Sequence, residues 1–189
     1  MYHIKDDKRA RTSAELICAA VLELLQEKPF AKLTITDVQQ RSSVSRSTFY
    51  RNFDRLEDVL ELLCDQGFDT VFERHLAAPE DGRAGLAVEV FRYWSDHSAV
   101  LETLVQIHRT DILFASFRRC AARLERLRSP AEDAVQYDYF VSIITAVMIG
   151  VLVTWTEHGK KETQDQVLQQ ILGAFSAAAA LGILGEAIG

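Results

Sequence analysis

The chain has 189 residues, of which 48% are apolar and 25% are charged, and only three are proline. This composition supports one or two small domains with a packed core and excludes a disordered chain. The formal net charge of −6 argues against general affinity for nucleic acid. Residues 1–63 hold ten basic and ten acidic residues, whereas residues 64–189 hold eleven and seventeen, so a basic surface can exist only locally and in the N-terminal third.

The first predicted element is an amphipathic helix over residues 6–26. Its apolar residues Ile17, Val21 and Leu24 recur at intervals of three and four residues. Pro29 cannot continue the helix. The charged N-terminus has no apolar run, so we expect no signal peptide and a cytoplasmic protein.

Next comes the stretch TITDVQQRSSVSRSTFYRNF, residues 34–53, which predicts two short helices joined by a tight turn. Thr34 can cap the first helix, with Asp37 completing a capping box. Ser45 can cap the second helix.

The second of these helices has two different faces. Phe49 and Phe53 lie four residues apart, so both can face the core. The opposite face carries two guanidinium groups, a hydroxyl, a phenol and no carboxylate: Arg46, Ser47, Tyr50 and Arg51. This set suits a helix in the major groove of DNA, where Arg binds guanine edges or phosphates and hydroxyls bind phosphates. The alternative is the ordinary solvated face of an amphipathic helix.

The order of residues over roughly 10–63 resembles the helix-turn-helix of the TetR family of transcriptional regulators. The resemblance is carried by Leu33-Thr34, Val44-Ser45, Phe49-Tyr50 and Phe53, followed by Glu57-Asp58-Val59-Leu60. The resemblance implies that bases are read by Arg46, Ser47 and Thr48, and that phosphates are held by Thr36, Tyr50, Arg51 and Asn52. Ser45 belongs to the same predicted DNA-binding set.

Two positions depart from the family pattern. The chain has Ser43 where the family usually has the turn glycine, so Ser43 would have to adopt a left-handed backbone conformation at some cost in stability. It has Leu56 where the family often has a phosphate-binding lysine, and Arg55 is a possible substitute.

After residue 53 the pattern remains helical. Asp54 and Glu57 can cap a long fourth helix that reaches about residue 76, in which Gly67 predicts close packing or a bend. A loop is predicted over residues 77–85. Further helices are predicted over residues 86–97, 100–108, 112–127, 132–158 and 163–181.

No segment shows the alternation typical of a sheet. We therefore predict an all-α chain of about nine helices. The helix-turn-helix domain would span residues 1–54, the connecting helix about 55–76, and a regulatory and dimerisation domain 77–189.

Residue patterns typical of catalysis are absent from the sequence. The five histidines are scattered, no phosphate-binding glycine loop or nucleophile motif occurs, and the three cysteines stand singly among apolar residues. We expect no catalytic residue, no metal site and no cofactor, and we expect reduced cysteines. The apolar run of residues 140–155 is shorter than a membrane span, so we expect no membrane insertion.

The C-terminal body is rich in aromatic residues, which predicts core and also favours an amphipathic ligand cavity. By the family resemblance, a small effector of unknown identity would contact Trp94, Ile107, His108, Phe117 and Tyr139. The last two helices carry more apolar surface than one face needs. The resemblance implies that they form a homodimer through Ile143, Val147, Val151, Leu168, Ile171 and Phe175.

These features predict a ligand-responsive transcriptional regulator that binds a palindromic operator in double-stranded DNA as a homodimer, most often as a repressor. The alternative is a helical interaction module of the same fold that no longer binds DNA by itself. Ser43 and Leu56 point weakly to that alternative, whereas the intact face of Arg46, Tyr50 and Arg51 points more strongly to DNA binding. An enzyme has no motif in its support.

Overall fold

The computed structural model describes residues 1–77, 82–121 and 133–180. Those ranges contain nine α-helices and no strand, which confirms the predicted all-α fold. In chain order the helices are α1 (Lys8–Glu27), α2 (Ile35–Ser42), α3 (Arg46–Asn52), α4 (Leu56–Ala77), α5 (Gly82–Asp96), α6 (Ser98–Gln106), α7 (Thr110–Ala121), α8 (Ala134–Glu157) and α9 (Gln164–Ala180). A short 3-10 helix, Phe30–Lys32, follows α1.

Helices α1, α2 and α3 form a three-helix head around a shared apolar core. Ile17 and Val21 of α1, Val38 of α2 and Phe49 of α3 are each at most 2% exposed. Phe53, directly after α3, is fully buried, and its ring centroid lies 5.6 Å from that of Phe49. The predicted four-residue spacing therefore anchors the C-terminal half of α3 to the core.

The predicted capping box of α2 is confirmed. Thr34 Oγ1 accepts from the backbone N of Asp37 at 3.2 Å, and Asp37 Oδ2 accepts from the backbone N of Thr34 at 2.8 Å. Hydrogen bonds from Lys28 and Thr34 lower the pKa of Asp37 to about 2. Because this value lies below that of a free Asp, the carboxylate contributes stability above about pH 4 that is lost as the pH falls toward 2.

The turn between α2 and α3 depends on Ser43, which has φ 57° and ψ 15°. This is the left-handed conformation that the sequence predicts for the position. For a residue with a Cβ it costs roughly 1–2 kcal/mol. The head therefore stores strain at the residue that sets the angle between its last two helices.

The start of α4 differs from the prediction. The carboxylate that caps this helix belongs to Asp58, whose Oδ2 accepts from the backbone N of Asp54 at 2.8 Å and of Arg55 at 3.1 Å. The predicted pair of Asp54 with Glu57 is wrong because the helix begins at Leu56, so the third helical residue, which reaches back to the cap, is Asp58.

Helix α4 lies at the centre of the molecule and packs against α1, α5, α6 and α7. An aromatic cluster fills the contact with α5 and α7: the ring of Phe68 lies 5.0 Å from that of Trp94 and 5.2 Å from that of Phe117. Gly67 permits this approach, because a Cβ there would stand 2.9 Å from Cε1 of Tyr93. Of the two roles predicted for Gly67, close packing is the one observed.

A buried carboxylate joins α4 to α7 and to the N-terminal segment. Asp65, 4% exposed, accepts hydrogen bonds from Tyr2 Oη at 2.5 Å and from Ser116 Oγ. Arg119 donates to both carboxylate oxygens, at 2.9 and 3.1 Å, and also pairs with Glu61 at 3.0 Å. Burial and the neighbouring carboxylate raise the pKa of Tyr2, so its phenol remains a donor.

Several helices in the body begin at other residues than predicted. Helix α5 begins at Gly82, inside the stretch predicted as a loop, and α6 begins two residues earlier than predicted. Residues 78–81, 122–132 and 181–189 lie outside the described residues. The rest of the predicted loop, the predicted end of α7 and the last predicted residue of α9 therefore stay predictions.

Helix α8 is longer than the apolar run that marks it in the sequence. Its 24 residues include an 18-residue window of mean hydropathy 2.0, of which 28% is buried, so length and composition alone would allow it to cross a membrane. Among the described residues it is the only such helix. The helix extends beyond the apolar run of residues 140–155 at both ends, and one helix of this kind is weak evidence for a membrane span, because the core helix of a soluble protein has the same length and composition.

We expect Ser43→Gly to raise the free energy of unfolding by about 0.5–1 kcal/mol, because glycine adopts the left-handed conformation without strain but is more flexible when unfolded. Urea denaturation followed by circular dichroism measures the change. Ser43→Ala keeps the strain and serves as the control, so a comparable gain with alanine would contradict the explanation.

We expect Asp65→Ala to lower the free energy of unfolding by about 1–3 kcal/mol, because it leaves the buried Ser116 hydroxyl and the half-buried Tyr2 hydroxyl without their acceptor, whereas the partly exposed Arg119 guanidinium can be hydrated. Denaturation with guanidinium chloride measures the loss. Glu61→Ala removes the other carboxylate that Arg119 contacts, which is more exposed, and should cost less than about 1 kcal/mol. Equal losses for the two variants would show that burial does not decide the effect.

Candidate nucleic-acid interface

The outer face of α3 presents the polar side chains that the sequence predicts for DNA contact. Arg46, Ser47, Tyr50 and Arg51 are exposed, and Thr48 is half-buried. Tyr50 remains 43% exposed although its ring packs edge-on against Phe49, at 5.7 Å between centroids. Packing of the buried side of α3 against the core therefore fixes the position of its exposed side.

Hydrogen bonds within the helix order this face. Ser45 caps α3: its Oγ accepts from the backbone N of Thr48 at 3.2 Å. Arg51 donates to Thr48 Oγ1 at 2.6 Å. The guanidinium of Arg46 lies 5.7 Å from the ring centroid of Tyr50 and 3.5 Å from its hydroxyl. The two arginines are therefore held along the helix rather than free in solvent.

These two arginines differ from Arg41 at the end of α2 and from Lys28 after α1. Arg41 pairs with Glu23 at 3.1 Å and with Glu27 at 2.7 Å, and Lys28 pairs with Asp37 at 2.8 Å. Among the described residues, no carboxylate lies within ion-pair distance of Arg46 or Arg51. Their positive charge is thus not balanced by a carboxylate of the described part of the chain, which suits contact with a phosphate or a guanine edge.

The remaining predicted contacts lie at the ends of this face. Thr36 is exposed in the first turn of α2. Arg55, whose side chain is 59% exposed, stands next to the half-buried Leu56 at the start of α4, but its Nε contacts Asp58 at 3.4 Å. Its guanidinium is therefore partly neutralised, unlike those of α3.

Asn52 does not fit the role predicted for it. Its side chain is 3% exposed, and its Nδ2 donates to the backbone carbonyl of Thr48 at 3.0 Å. The N-terminal segment covers this end of α3: the backbone N of His3 donates to the Asn52 carbonyl at 2.9 Å, and Tyr2 forms a β-bridge with Phe53. The expectation of an exposed asparagine fails because the sequence carries no signal that this segment packs here.

Known proteins resemble this chain in sequence and in structure. An HTH-type transcriptional regulator, EthR of Mycolicibacterium smegmatis, is 29% identical over 120 residues, which cover 59% of this chain and 52% of that protein. The chain thus spans about half the length of this curated relative. No protein-family model matches.

Two crystal structures have the same fold. A TetR transcriptional regulator from Streptococcus agalactiae 2603V superposes with a TM-score of 0.55 at 21% identity, covering 87% of this chain and 93% of that one. Lin0861 from Listeria innocua superposes with a TM-score of 0.69 at 15% identity, covering 92% and 94%. The predicted resemblance to the TetR family is confirmed.

The five residues predicted to contact an effector do not form one site. Trp94 and Phe117 are each 1% exposed and belong to the aromatic cluster around Phe68. His108 is exposed in the turn between α6 and α7, and Tyr139 is 69% exposed on α8. Ile107 ends α6 and packs against the core. Core and cavity linings have the same composition, so the sequence did not separate them.

The predicted dimer residues of the TetR-type fold lie on α8 and α9. Ile143 is 60% exposed and shares a stripe with Tyr139 and with Val135, which is 62% exposed. Val147, Val151 and Ile171 line a groove of about 740 Å³ between the two helices, where Gly150 has no neighbour within 4 Å of an added Cβ. Leu168 is half-buried, and the side chain of Phe175 lies outside the described residues.

The described residues hold neither a metal site nor a reactive thiol. They contain no group of three or more metal-ligating side chains close enough to hold an ion. Cys18, Cys64 and Cys120 are reduced and buried, as predicted from their apolar neighbours. Burial raises the pKa of Cys18 to about 12 and raises that of Cys64, so these thiols are poor nucleophiles.

Proposed function

We propose that this protein is a DNA-binding transcriptional regulator that inserts α3 into the major groove. The observation that carries the proposal is the exposed face of α3, where Arg46 and Arg51 have no carboxylate partner among the described residues. Buried Phe49 and the Ser43 turn hold that face outward. The resemblance to a curated regulator supports the same function.

The roles follow from position and chemistry. Arg46, Ser47 and Thr48 stand in the first turn of α3 and would read base edges, where an arginine can bind guanine through two hydrogen bonds. Tyr50 and Arg51 stand further along the helix and would hold phosphates, together with Thr36 and the cap residue Ser45. The buried Asn52 is left out of this set.

We propose that the active form is a homodimer built on α8 and α9. The most apolar window of α8 is 28% buried, and a stripe with so much exposed apolar surface must be covered. A second copy can cover it through a twofold axis that runs between equivalent helices. Such a dimer presents two copies of α3 to successive major grooves and would bind a palindromic operator with half-sites about one helical turn apart.

We further propose that the protein is a cytoplasmic repressor, and that its affinity for the operator responds to a small effector bound by the body. In this scheme residues 1–54 bind DNA, α4 connects the two parts, and residues from 77 onward bind the effector and the second copy. A coupling of about 1–3 kcal/mol between effector and DNA would suffice for a useful switch. Catalysis has no part in the proposal.

We expect the purified protein to bind its own upstream intergenic DNA with an affinity that falls steeply as salt concentration rises. Arg46→Ala should weaken specific binding by about 1–3 kcal/mol, roughly 5- to 150-fold, because one guanine contact is lost. Arg51→Ala should instead weaken binding to all sequences and reduce the salt slope by about one. Fluorescence anisotropy at two salt concentrations measures both effects.

Arg118→Ala is the matched control, since it removes an exposed arginine from the body helix α7 and should leave DNA binding unchanged. A folded protein that binds no DNA at low salt would reject the proposal. The protein would then be an interaction module of the same fold, and Ser43→Gly and Leu56→Lys would be the first substitutions to test for restored DNA binding.

We expect Ile143→Glu to convert the dimer to a monomer, because it places a carboxylate in the proposed interface while the side chain is 60% exposed in a single chain. Sedimentation velocity measures the mass, and the thermal unfolding of the monomer should change little. Leu16→Glu makes the same change at an exposed apolar position of the head and should leave the dimer intact. A monomeric parent protein, or a dimer that survives Ile143→Glu, would refute this interface.

A further inference from the structure

A short segment before α1 lies across the joint between α3 and α4. Residues 53–55 are all that separate these two helices. Residues 2–4, here named the N-terminal strap, lie over the joint, where Tyr2 forms a β-bridge with Phe53. Tyr2 and Ile4 are half-buried and pack against the core. The strap is thus an ordered part of the head although it belongs to no helix.

On the side of the head, the strap is bound to the end of α3. The backbone N of His3 donates to the Asn52 carbonyl at 2.9 Å. The last carbonyl groups of a helix have no partner inside the helix, so this hydrogen bond completes the C-terminal turn of α3. The strap is therefore attached to the helix that carries the exposed arginines.

On the other side of the joint, the strap reaches along α4. Tyr2 Oη donates to Asp65 Oδ2 at 2.5 Å. Asp65 lies nine residues after Leu56, the first residue of α4, so this contact is about 14 Å along the helix axis from the joint. One tyrosine thus bonds through its backbone to the end of the head and through its side chain to the middle of α4.

The acceptor of the Tyr2 hydroxyl is itself held in place. Asp65 is 4% exposed, and its carboxylate also accepts from Ser116 Oγ and from the guanidinium of Arg119, both on α7. A buried carboxylate with partners on two elements has little freedom to move. The hydroxyl of Tyr2 is therefore bonded to a fixed point of the body.

The hydroxyl adds direction that the aromatic ring alone cannot supply. Burial of the ring is favourable in any position that removes it from water, because the hydrophobic effect is not directional. A hydrogen bond weakens steeply when its angle or length changes. The bond from Tyr2 to Asp65 therefore selects one orientation of the strap, and of the head bonded to it, relative to α4.

We infer that the N-terminal strap fixes the orientation of α3 relative to the body, and that Tyr2 is thereby a positioning residue for recognition of the operator. Tyr2 would touch no base and no phosphate in this role. It would act by holding the two α3 helices of a dimer at the separation that the operator requires. The recognition part of this inference rests on the proposed function, whereas the orientation part does not.

Tyr2→Phe is the informative variant, because it removes the hydroxyl and keeps the ring. Ser116→Ala is the matched control, since it removes another hydroxyl that donates to the same carboxylate but leaves the strap bonded to α4. Ser116 is fully buried and Tyr2 is half-buried, so the control should lose at least as much stability. An effect on orientation is thereby separated from an effect on stability.

The orientation part is tested by double electron–electron resonance between nitroxide labels on Gln39→Cys in α2 and Ala115→Cys in α7, both exposed positions. The three native cysteines are buried, so the protein without the introduced cysteines should take up no label. An excess of unlabelled protein suppresses distances between two copies. We expect one narrow distance distribution for the parent and for Ser116→Ala, and a broader one for Tyr2→Phe.

The recognition part is tested with the best operator and with the same DNA lengthened by one base pair at its centre. The insertion turns one half-site by about 35° and moves it by about 3.4 Å, so the parent should prefer the original spacing. Tyr2→Phe should reduce this preference by roughly 3- to 10-fold, the loss of one hydrogen bond, and leave non-specific binding unchanged. Ser116→Ala should keep the preference of the parent.

The outcomes separate the inference from the proposed function. A distance distribution that Tyr2→Phe leaves unchanged, or that Ser116→Ala broadens equally, overturns the orientation part. A spacing preference that is absent from the parent or retained by Tyr2→Phe overturns the recognition part. A parent protein that binds no DNA would instead reject the proposed function, and the distance distributions would still decide the orientation part.

Discussion

The carboxylate of Asp65 is the constraint that relates the three-helix head to the helical body. It is buried on the central helix α4, and its partners come from the N-terminal segment and from α7. A buried carboxylate needs all its partners, so these three segments cannot separate without leaving a charge unpaired in the interior. Any change that reorients the head must therefore either preserve this network or replace it.

The exposed face of α3 shows how tertiary contacts hold a short helix in place. Seven residues are too few for a stable isolated helix, so α3 depends on tertiary contacts. Phe49 and Phe53 hold one side, Ser45 caps the start, and Ser43 sets the angle of approach at the cost of backbone strain. The exposed arginines are positioned by these supports rather than by one another.

The described part of the chain has an apolar surface on α8 that is incompletely covered. The stripe along α8 is open and broad, which suits a second protein copy.

Local chemistry in the sequence determined the parts of this protein that depend on near neighbours. Helical spacing, the Thr34 capping box and the Ser45 cap follow from residues within one or two turns, and the exposed face of α3 follows from its helical period. The left-handed Ser43 was predicted by the family resemblance. Tertiary structure alone decided the burial of Asn52 beneath the N-terminal segment, the partners of Asp65 and the separation of the five predicted effector contacts. Those features join residues far apart in the chain, and apolar residues carry no local mark that separates a packed core from a cavity wall.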